Sequence, residues 1–227
     1  MISAETRLVG LIGDPVSGSL SPLMQNAAFA VRGLDWAYVP LPVRADLLAD
    51  AVRGLVGLCF AGANVTTPHK LAVARLVETD APSVNTLVVR EERVHGYTTD
   101  AAILDALEFE RAAIIGDGGS ATAFGRKLPD AVRFSRRGQW PPVVDDVDLV
   151  VNATSERDEV LVELRPGQTL VDLPYPRTAT ARAAEAAGAR VVDGIEVLVA
   201  QGSASFELWT GVPAPVDVMR AAVRSAS

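Results

Sequence analysis

The segment from Arg111 to Phe124, Arg-Ala-Ala-Ile-Ile-Gly-Asp-Gly-Gly-Ser-Ala-Thr-Ala-Phe, constrains the fold more than any other. A short apolar run meets Gly116, Gly118 and Gly119, and a stretch of small residues with helical character follows. This reads as strand, tight turn and helix, the arrangement in which a helix N-terminus faces a pyrophosphate. The third glycine of the full pattern is replaced by Ala121, still small enough for close helix–strand packing. Asp117 stands inside the turn and repels a phosphate unless its side chain turns away.

The pattern repeats downstream. Ala131–Phe134, Val147–Asn152, Gln168–Leu173 and Ala189–Val192 read as strands, and Thr180–Ala187 reads as a helix stopped by Gly188. Repeated strand–loop–helix units predict a doubly wound parallel sheet. Between Arg137 and Val147, Gly138-Gln-Trp-Pro-Pro142 leaves no room for a crossover helix, which usually needs about 10–12 residues or more. Arg136 lies 20 positions after Gly116, in a doublet with Arg137. At about that offset an acid binds the 2′-hydroxyl of NAD, whereas an arginine accommodates the 2′-phosphate of NADP. The doublet therefore selects NADP(H); the plainer alternative is a basic surface turn.

The first half carries a different set of signals. Arg7–Gly13 reads as a buried strand, and Asp14-Pro15 opens a loop containing Ser19 and Ser21. Ser21-Pro22 reads as an N-cap and first helical position, with Leu23, Ala27 and Val31 at helical spacing and Gly33 as the stop. Taken locally, simple capping by Ser21 is favoured over a carboxylate or phosphate site. A strand at Trp36–Pro42 and a helix around Ala45–Val52 follow. In Gly62-Ala-Asn-Val-Thr-Thr-Pro-His-Lys70, a short strand runs toward Pro68, and a helix over Lys70–Val77 gathers Asn64, Thr66 and Thr67 near its start. A first-turn lysine opposes the helix dipole, which marks Lys70 as a group with a ligand or a proton to handle, against the ordinary reading of a solvated lysine. Ser83–Val89 and Val94–Asp100 read as two strands joined by a charged turn, with Asp100 as N-cap of a helix over Ala101–Leu107.

Composition removes whole classes. The 227 residues carry a net charge of −7, against a general nucleic-acid or anionic-membrane binder. One cysteine, Cys59, excludes an intrachain disulfide, and two histidines leave little for a Cys/His zinc site. No apolar run approaches the ~18 residues of a membrane span, and the N-terminus turns polar too soon for a signal peptide. A soluble cytoplasmic protein is expected, with no metal.

These residues together resemble the shikimate dehydrogenase family along nearly the whole chain. Gly13-Asp-Pro15, Ser19-Leu-Ser21-Pro22 and Asn26 look like its carboxylate loop, and Asn64-Val-Thr-Thr-Pro-His-Lys70 looks like its N-V-T-x-P-x-K motif. Val84-Asn85-Thr86, Thr99-Asp100, Gly116–Gly119, Asn152-Ala-Thr154, Asp172–Tyr175, Gly194, Gln201 and Phe206–Gly211 follow in the family's order. The resemblance implies reversible NADP(H)-dependent reduction of 3-dehydroshikimate to shikimate. It implies an α/β fold: an N-terminal substrate domain (residues 1–101 with 203–227) and an NADP-binding, Rossmann-like parallel-sheet domain (102–202), with a cleft between them. C-terminal helices near Ser203–Trp209 and Val216–Ser225 would pack on the first domain.

Carried over by position, Ser19 and Ser21 would hold the substrate carboxylate, with Tyr175 flanking it. Asn64, Thr66, Asn85 and Gln201 would bind or orient ring hydroxyls. Lys70 and Asp100 would form the catalytic pair. Gly116, Gly118, Gly119, Ser120, Ser135, Arg136, Arg137, Asn152, Thr154, Leu173 and Gly194 would bind the cofactor. The implied partners are a small-molecule substrate and, at most, a second copy of the chain. A quinate or aminoshikimate dehydrogenase, and a binding protein without turnover, are the alternatives. Several positions depart from the family pattern: Gly18, Thr98, Asp117, Ser135-Arg136-Arg137, Ser155-Glu-Arg-Asp158 and Glu196-Val197. Most lie in the cofactor half.

Overall fold

The computed structural model describes residues 2–226. Along the chain the strands are β1 (Arg7–Gly13), β2 (Trp36–Pro42), β3 (Gly62–Val65), β4 (Thr86–Arg90), β5 (Arg93–Tyr97), β6 (Ala112–Ile115), β7 (Val132–Phe134), β8 (Leu149–Asn152), β9 (Thr169–Asp172) and β10 (Arg190–Val192). The helices are α1 (Ser21–Val31), α2 (Leu48–Gly57), α3 (Lys70–Val73), α4 (Gly119–Lys127), α5 (Ala179–Ala186), α6 (Gly194–Thr210) and α7 (Val216–Arg224). Two compact units result: Met1–Thr99 with Val199–Ser227, and Asp100–Leu198.

The first unit contains a sheet ordered β2-β1-β3-β4-β5. β1 pairs in parallel with β2 and β3, while the β3–β4 and β4–β5 pairs are antiparallel. Ile12, Ala63, Val65 and Leu87 of the sheet form a core with Leu48, Val52 and Leu55, the buried stripe of α2. Phe29 of α1 lies between two aromatic neighbours, Phe206 with ring centroids 5.4 Å apart and Trp36 at 5.5 Å. Fully burying an aromatic or aliphatic side chain contributes about 1.5–3 kcal/mol, so this cluster anchors α1 and the second half of α6 in the unit.

The second unit is a parallel sheet ordered β10-β9-β8-β6-β7. Alternate residues along each strand serve opposite faces. Ala112, Ile114, Leu149, Val151 and Val171 share one core with Ala121 and Phe124 of α4. Ala113, Ile115, Val150 and Leu170 share the other with Ala181 and Ala184 of α5, and with Val144, Val147, Leu161, Val162 and Leu164 from irregular chain. As expected, no helix links β7 to β8; among the described residues none links β8 to β9 either. Two apolar loops cover that face beside α5, in place of the two crossover helices. Buried loop backbone needs polar partners. Gln168 supplies them by donating to the carbonyls of Val144 (2.8 Å) and Val147 (2.7 Å), and the Thr180 hydroxyl accepts from the Leu161 amide at 3.0 Å.

Several element boundaries differ from the sequence reading. A 3-10 turn at Ala45–Leu47 precedes α2, which continues to Gly57. The helix expected over Lys70–Val77 stops at Val73, after which the Arg75 and Leu76 amides bond three residues back, to Ala72 and Val73. The first C-terminal helix begins at Gly194 rather than near Ser203. Its start is set by Asp193, whose carboxylate accepts from the amides of Ile195 and Glu196, both at 3.1 Å.

Candidate active site

Ser21 does not cap α1. It is the first helical residue, and Leu20 occupies the cap position with no side-chain cap of its own. The Ser19 hydroxyl instead accepts the Ser21 amide at 3.2 Å. With no acid in the first turn, this N-terminus keeps the polarity that suits an anion. Asp100 is likewise no cap: the 3-10 helix after it spans Ala102–Ala106, with Ala101 before it and no side-chain cap. Asp100 is nevertheless buried, at 6% exposure, so capping no longer explains it.

Lys70 opens α3, and its carbonyl accepts the Val84 amide at 3.0 Å, which brings the chain beside Asn85. The expected conflict with a helix dipole is small here, because α3 is a single turn. The preceding residue is fixed by its ring: His69 is buried, and its Nε2 lies 2.6 Å from the Val43 carbonyl.

Asn64, Asn85 and Gln201 meet in one buried network of the first unit. The Asn64 amide oxygen accepts from the Tyr38 hydroxyl at 2.9 Å. Its nitrogen donates to the Asn85 carbonyl and to Ser205 Oγ, both at 3.0 Å, with Thr86 Oγ1 at 3.1 Å. These partners fix which end of the amide is nitrogen. Asn85 accepts the Thr99 amide at 2.7 Å, and its nitrogen reaches Thr99 Oγ1 at 2.9 Å and Gln201 Oε1 at 3.3 Å. Ser205 donates to the Gln201 carbonyl one turn back on α6. Tyr38, Thr86, Thr99 and Ser205 were not among the sequence candidates. Only Ser205 left a trace, by standing four positions after Gln201 and hence on the same helix face.

The second unit holds the glycine turn. Gly116 has φ +132°, and a side chain there would press on the Ala153 carbonyl, its Cβ only 3.0 Å from the oxygen. Helix α4 then starts behind Gly118 with no side-chain cap and no acid in its first turn. A positive-φ glycine, an uncapped helix start and a basic doublet after β7 fit a dinucleotide phosphate. The Asp117 carboxylate lies 3.5 Å from the Arg137 guanidinium. Arg136 is paired with Glu159. Ser135 begins a tight turn, its amide bonded to the Gln139 carbonyl at 3.1 Å.

Asn152, at the end of β8, is fully buried and donates to Asp172 at 2.7 Å, while its oxygen accepts the amide and the hydroxyl of Thr154. Asp172 also accepts from the Thr178 hydroxyl at 2.9 Å. Burial pushes the Asp172 carboxyl above the usual aspartate range, against the pull of those two hydrogen bonds. Gly194 packs on the Leu173–Pro174 backbone, where any Cβ would collide with both carbonyls. The departing run Ser155–Asp158 wraps the Glu156 carboxylate in the amides of Asp158, Glu159 and Arg157, which holds its pKa below the usual glutamate range. Tyr175 follows Leu173 and Pro174 in the loop after β9. Among the described residues no His, Cys, Asp and Glu cluster suits a metal, and no helix is long and apolar enough to cross a membrane.

Fold and motifs define a two-unit α/β chain, one unit with a dinucleotide-type glycine turn and the other with a buried amide and hydroxyl network. Family models agree. The shikimate dehydrogenase substrate binding domain matches residues 11–87, and the shikimate 5′-dehydrogenase C-terminal domain matches residues 194–224. The chain is 38% identical to a shikimate dehydrogenase (NADP(+)) of Anaeromyxobacter sp. (strain Fw109-5), over 98% of each chain. The crystal structure of shikimate dehydrogenase from Aquifex aeolicus superposes with a TM-score of 0.89 at 28% identity, covering 99% of this chain and 100% of that one. The Thermus thermophilus shikimate 5-dehydrogenase, solved with NADP(H) and shikimate, gives a TM-score of 0.86 at 27% identity, over 98% and 100%. The chain belongs to the shikimate dehydrogenase family.

Proposed function

We propose that this protein is an NADP(H)-dependent oxidoreductase that interconverts 3-dehydroshikimate and shikimate. The observation that carries the reading is the meeting of Asn64, Asn85 and Gln201 in one buried network, with amide groups suited to ring hydroxyls. Residues 1–101 with 203–227 are assigned as the substrate domain and 102–202 as the cofactor domain. Ser19 and Ser21 hold the substrate carboxylate, which the uncapped start of α1 supports, and Tyr175 flanks it. Asn64, Thr66, Asn85 and Gln201 bind or orient the ring hydroxyls. Lys70 gives its proton to the developing alkoxide, or stabilises it by charge, during reduction. Asp100 holds Lys70 and accepts from the substrate hydroxyl.

When bound, the nicotinamide supplies the hydride. Gly116, Gly118, Gly119 and Ser120 would face its pyrophosphate, with Ser135, Arg136 and Arg137 at the 2′-phosphate. Asn152, Thr154, Leu173 and Gly194 complete that site. The protein acts in the cytoplasm on a small molecule, as a monomer or homodimer, in the biosynthesis of aromatic amino acids by way of chorismate. Initial rates with shikimate against NADP⁺ and NAD⁺ test the reading, with NADP⁺ expected to be the better oxidant. Lys70→Ala should lower kcat by about 10²–10⁴-fold. No turnover with either cofactor would overturn it, and tight shikimate binding without turnover would make the chain a binding protein. Higher kcat/KM for quinate or aminoshikimate than for shikimate would reassign the substrate.

A further inference from the structure

The two arginines after β7 each hold a carboxylate from a different loop. Arg136 is bonded to Glu159, and its guanidinium carbon lies 5.6 Å over the Trp140 ring. Arg137 is 3.5 Å from Asp117, inside the glycine turn. Formally this quartet is neutral, so the basic doublet of the sequence does not stand as a net positive patch. Its side chains are well exposed, Arg136 at 59% and Glu159 at 62%, Arg137 at 88% and Asp117 at 50%. Exposed pairs are weak and screened by salt, so an incoming anion can replace the carboxylate on an arginine.

We propose that Glu159 is a specificity-determining residue that sets this protein's preference between NADP(H) and NAD(H) by competing with the 2′-phosphate for Arg136, and that Asp117 lowers the affinity for both cofactors alike by opposing the pyrophosphate. The inference rests on the NADP(H) reading above and deepens it. A 2′-phosphate that takes Arg136 leaves Glu159 as an unpaired acid beside a dianion, which lowers affinity. A 2′-hydroxyl carries no charge and makes no such demand: the Arg136–Glu159 pair stays closed. Glu159 therefore acts on one cofactor only. Asp117 acts on both, because both carry the pyrophosphate.

Titration calorimetry on the full chain at low salt, with NADP⁺ and with NAD⁺, tests this without turnover. Glu159→Gln should tighten NADP⁺ by on the order of three- to tenfold and change NAD⁺ less than about twofold. Asp117→Asn should tighten both by similar factors. Arg136→Ala should weaken NADP⁺ by about tenfold or more and spare NAD⁺. If Glu159→Gln leaves the ratio of the two affinities unchanged while Arg136→Ala loses NADP⁺, the role of Glu159 is overturned and the NADP(H) reading stands. If Asp117→Asn tightens neither cofactor, the role of Asp117 is overturned. If Arg136→Ala binds NADP⁺ as tightly as the parent, the cofactor reading itself fails.

Discussion

Asn64 and Arg136 occupy the candidate sites of the two units, and they are held in opposite ways. Asn64 is 4% exposed and engaged at both ends of its amide. Arg136 stands largely in water, paired with the Glu159 carboxylate and lying over the Trp140 indole. In low dielectric each hydrogen bond is strong and each unmade one is costly, so the first unit's network sets positions rigidly. In water, charges are screened and cheaply re-paired, so the second unit's arginines can be retuned by single substitutions. One unit is built for fixed recognition and the other for adjustable affinity.

The largest expected effect comes from breaking the buried network. Asn64→Ala takes an acceptor from the Tyr38 hydroxyl, itself 2% exposed, and a donor from the Asn85 carbonyl, Thr86 and Ser205. Four buried groups lose a hydrogen bond here, each worth about 0.5–1.5 kcal/mol, so about 2–4 kcal/mol of unfolding free energy should be lost. Urea denaturation measures it; a loss below ~0.5 kcal/mol would mean that the network does not fix the site.

An intermediate case lies in the second unit, where Asp148 joins two strand entries. Its carboxylate accepts the amides of Glu110 (2.8 Å) and Arg111 (2.7 Å) just before β6, while its own chain leads into β8. Desolvation raises its pKa, but the backbone amides outweigh it and hold the carboxyl below the usual aspartate range. A folded-state pKa below the unfolded one stabilises above the unfolded value and is lost as pH falls through the folded value. Asp148→Asn should therefore cost about 1–2 kcal/mol at neutral pH and progressively less below about pH 4. Denaturation midpoints of parent and variant should converge in acid; a constant gap would place the effect in shape rather than charge.

How far the sequence revealed this depends on how local the signal is. The Arg111–Phe124 turn was legible because glycine spacing, strand and helix lie in one continuous stretch, and β1 and β2 show the bounds expected of them. Ser21 and Asp100 were misread as caps because a residue's type gives its capping preference but not the register of the turn that follows. The missing crossover between β8 and β9 was hidden for a different reason. Leu161, Val162 and Leu164 form a core without helical period, and their backbone is satisfied by Gln168 and Thr180 from elsewhere. The partners of Asn64 come from β2, β4 and α6, up to 141 positions away, and no spacing rule joins them. Glu159 escaped notice because it lies 23 positions from the arginine it faces.

The smallest expected effect is the stability change of Glu159→Gln. Both members of its pair are more than half exposed, the attraction is screened, and holding two long side chains together costs rotamer entropy. The unfolding free energy should stay within about 0.5 kcal/mol of the parent, in contrast to Asn64→Ala. Yet the same substitution is expected to move NADP⁺ affinity, because binding places a phosphate dianion where the unfolding reaction has only solvent. Raising ionic strength should separate the two quantities further. At ~1 M salt the Debye length is about 3 Å, so the affinity difference between variant and parent should shrink toward zero while their denaturation midpoints stay together. A stability loss comparable to that of Asn64→Ala would show that the exposed pair holds its loop in place, and would erase the distinction between the two units.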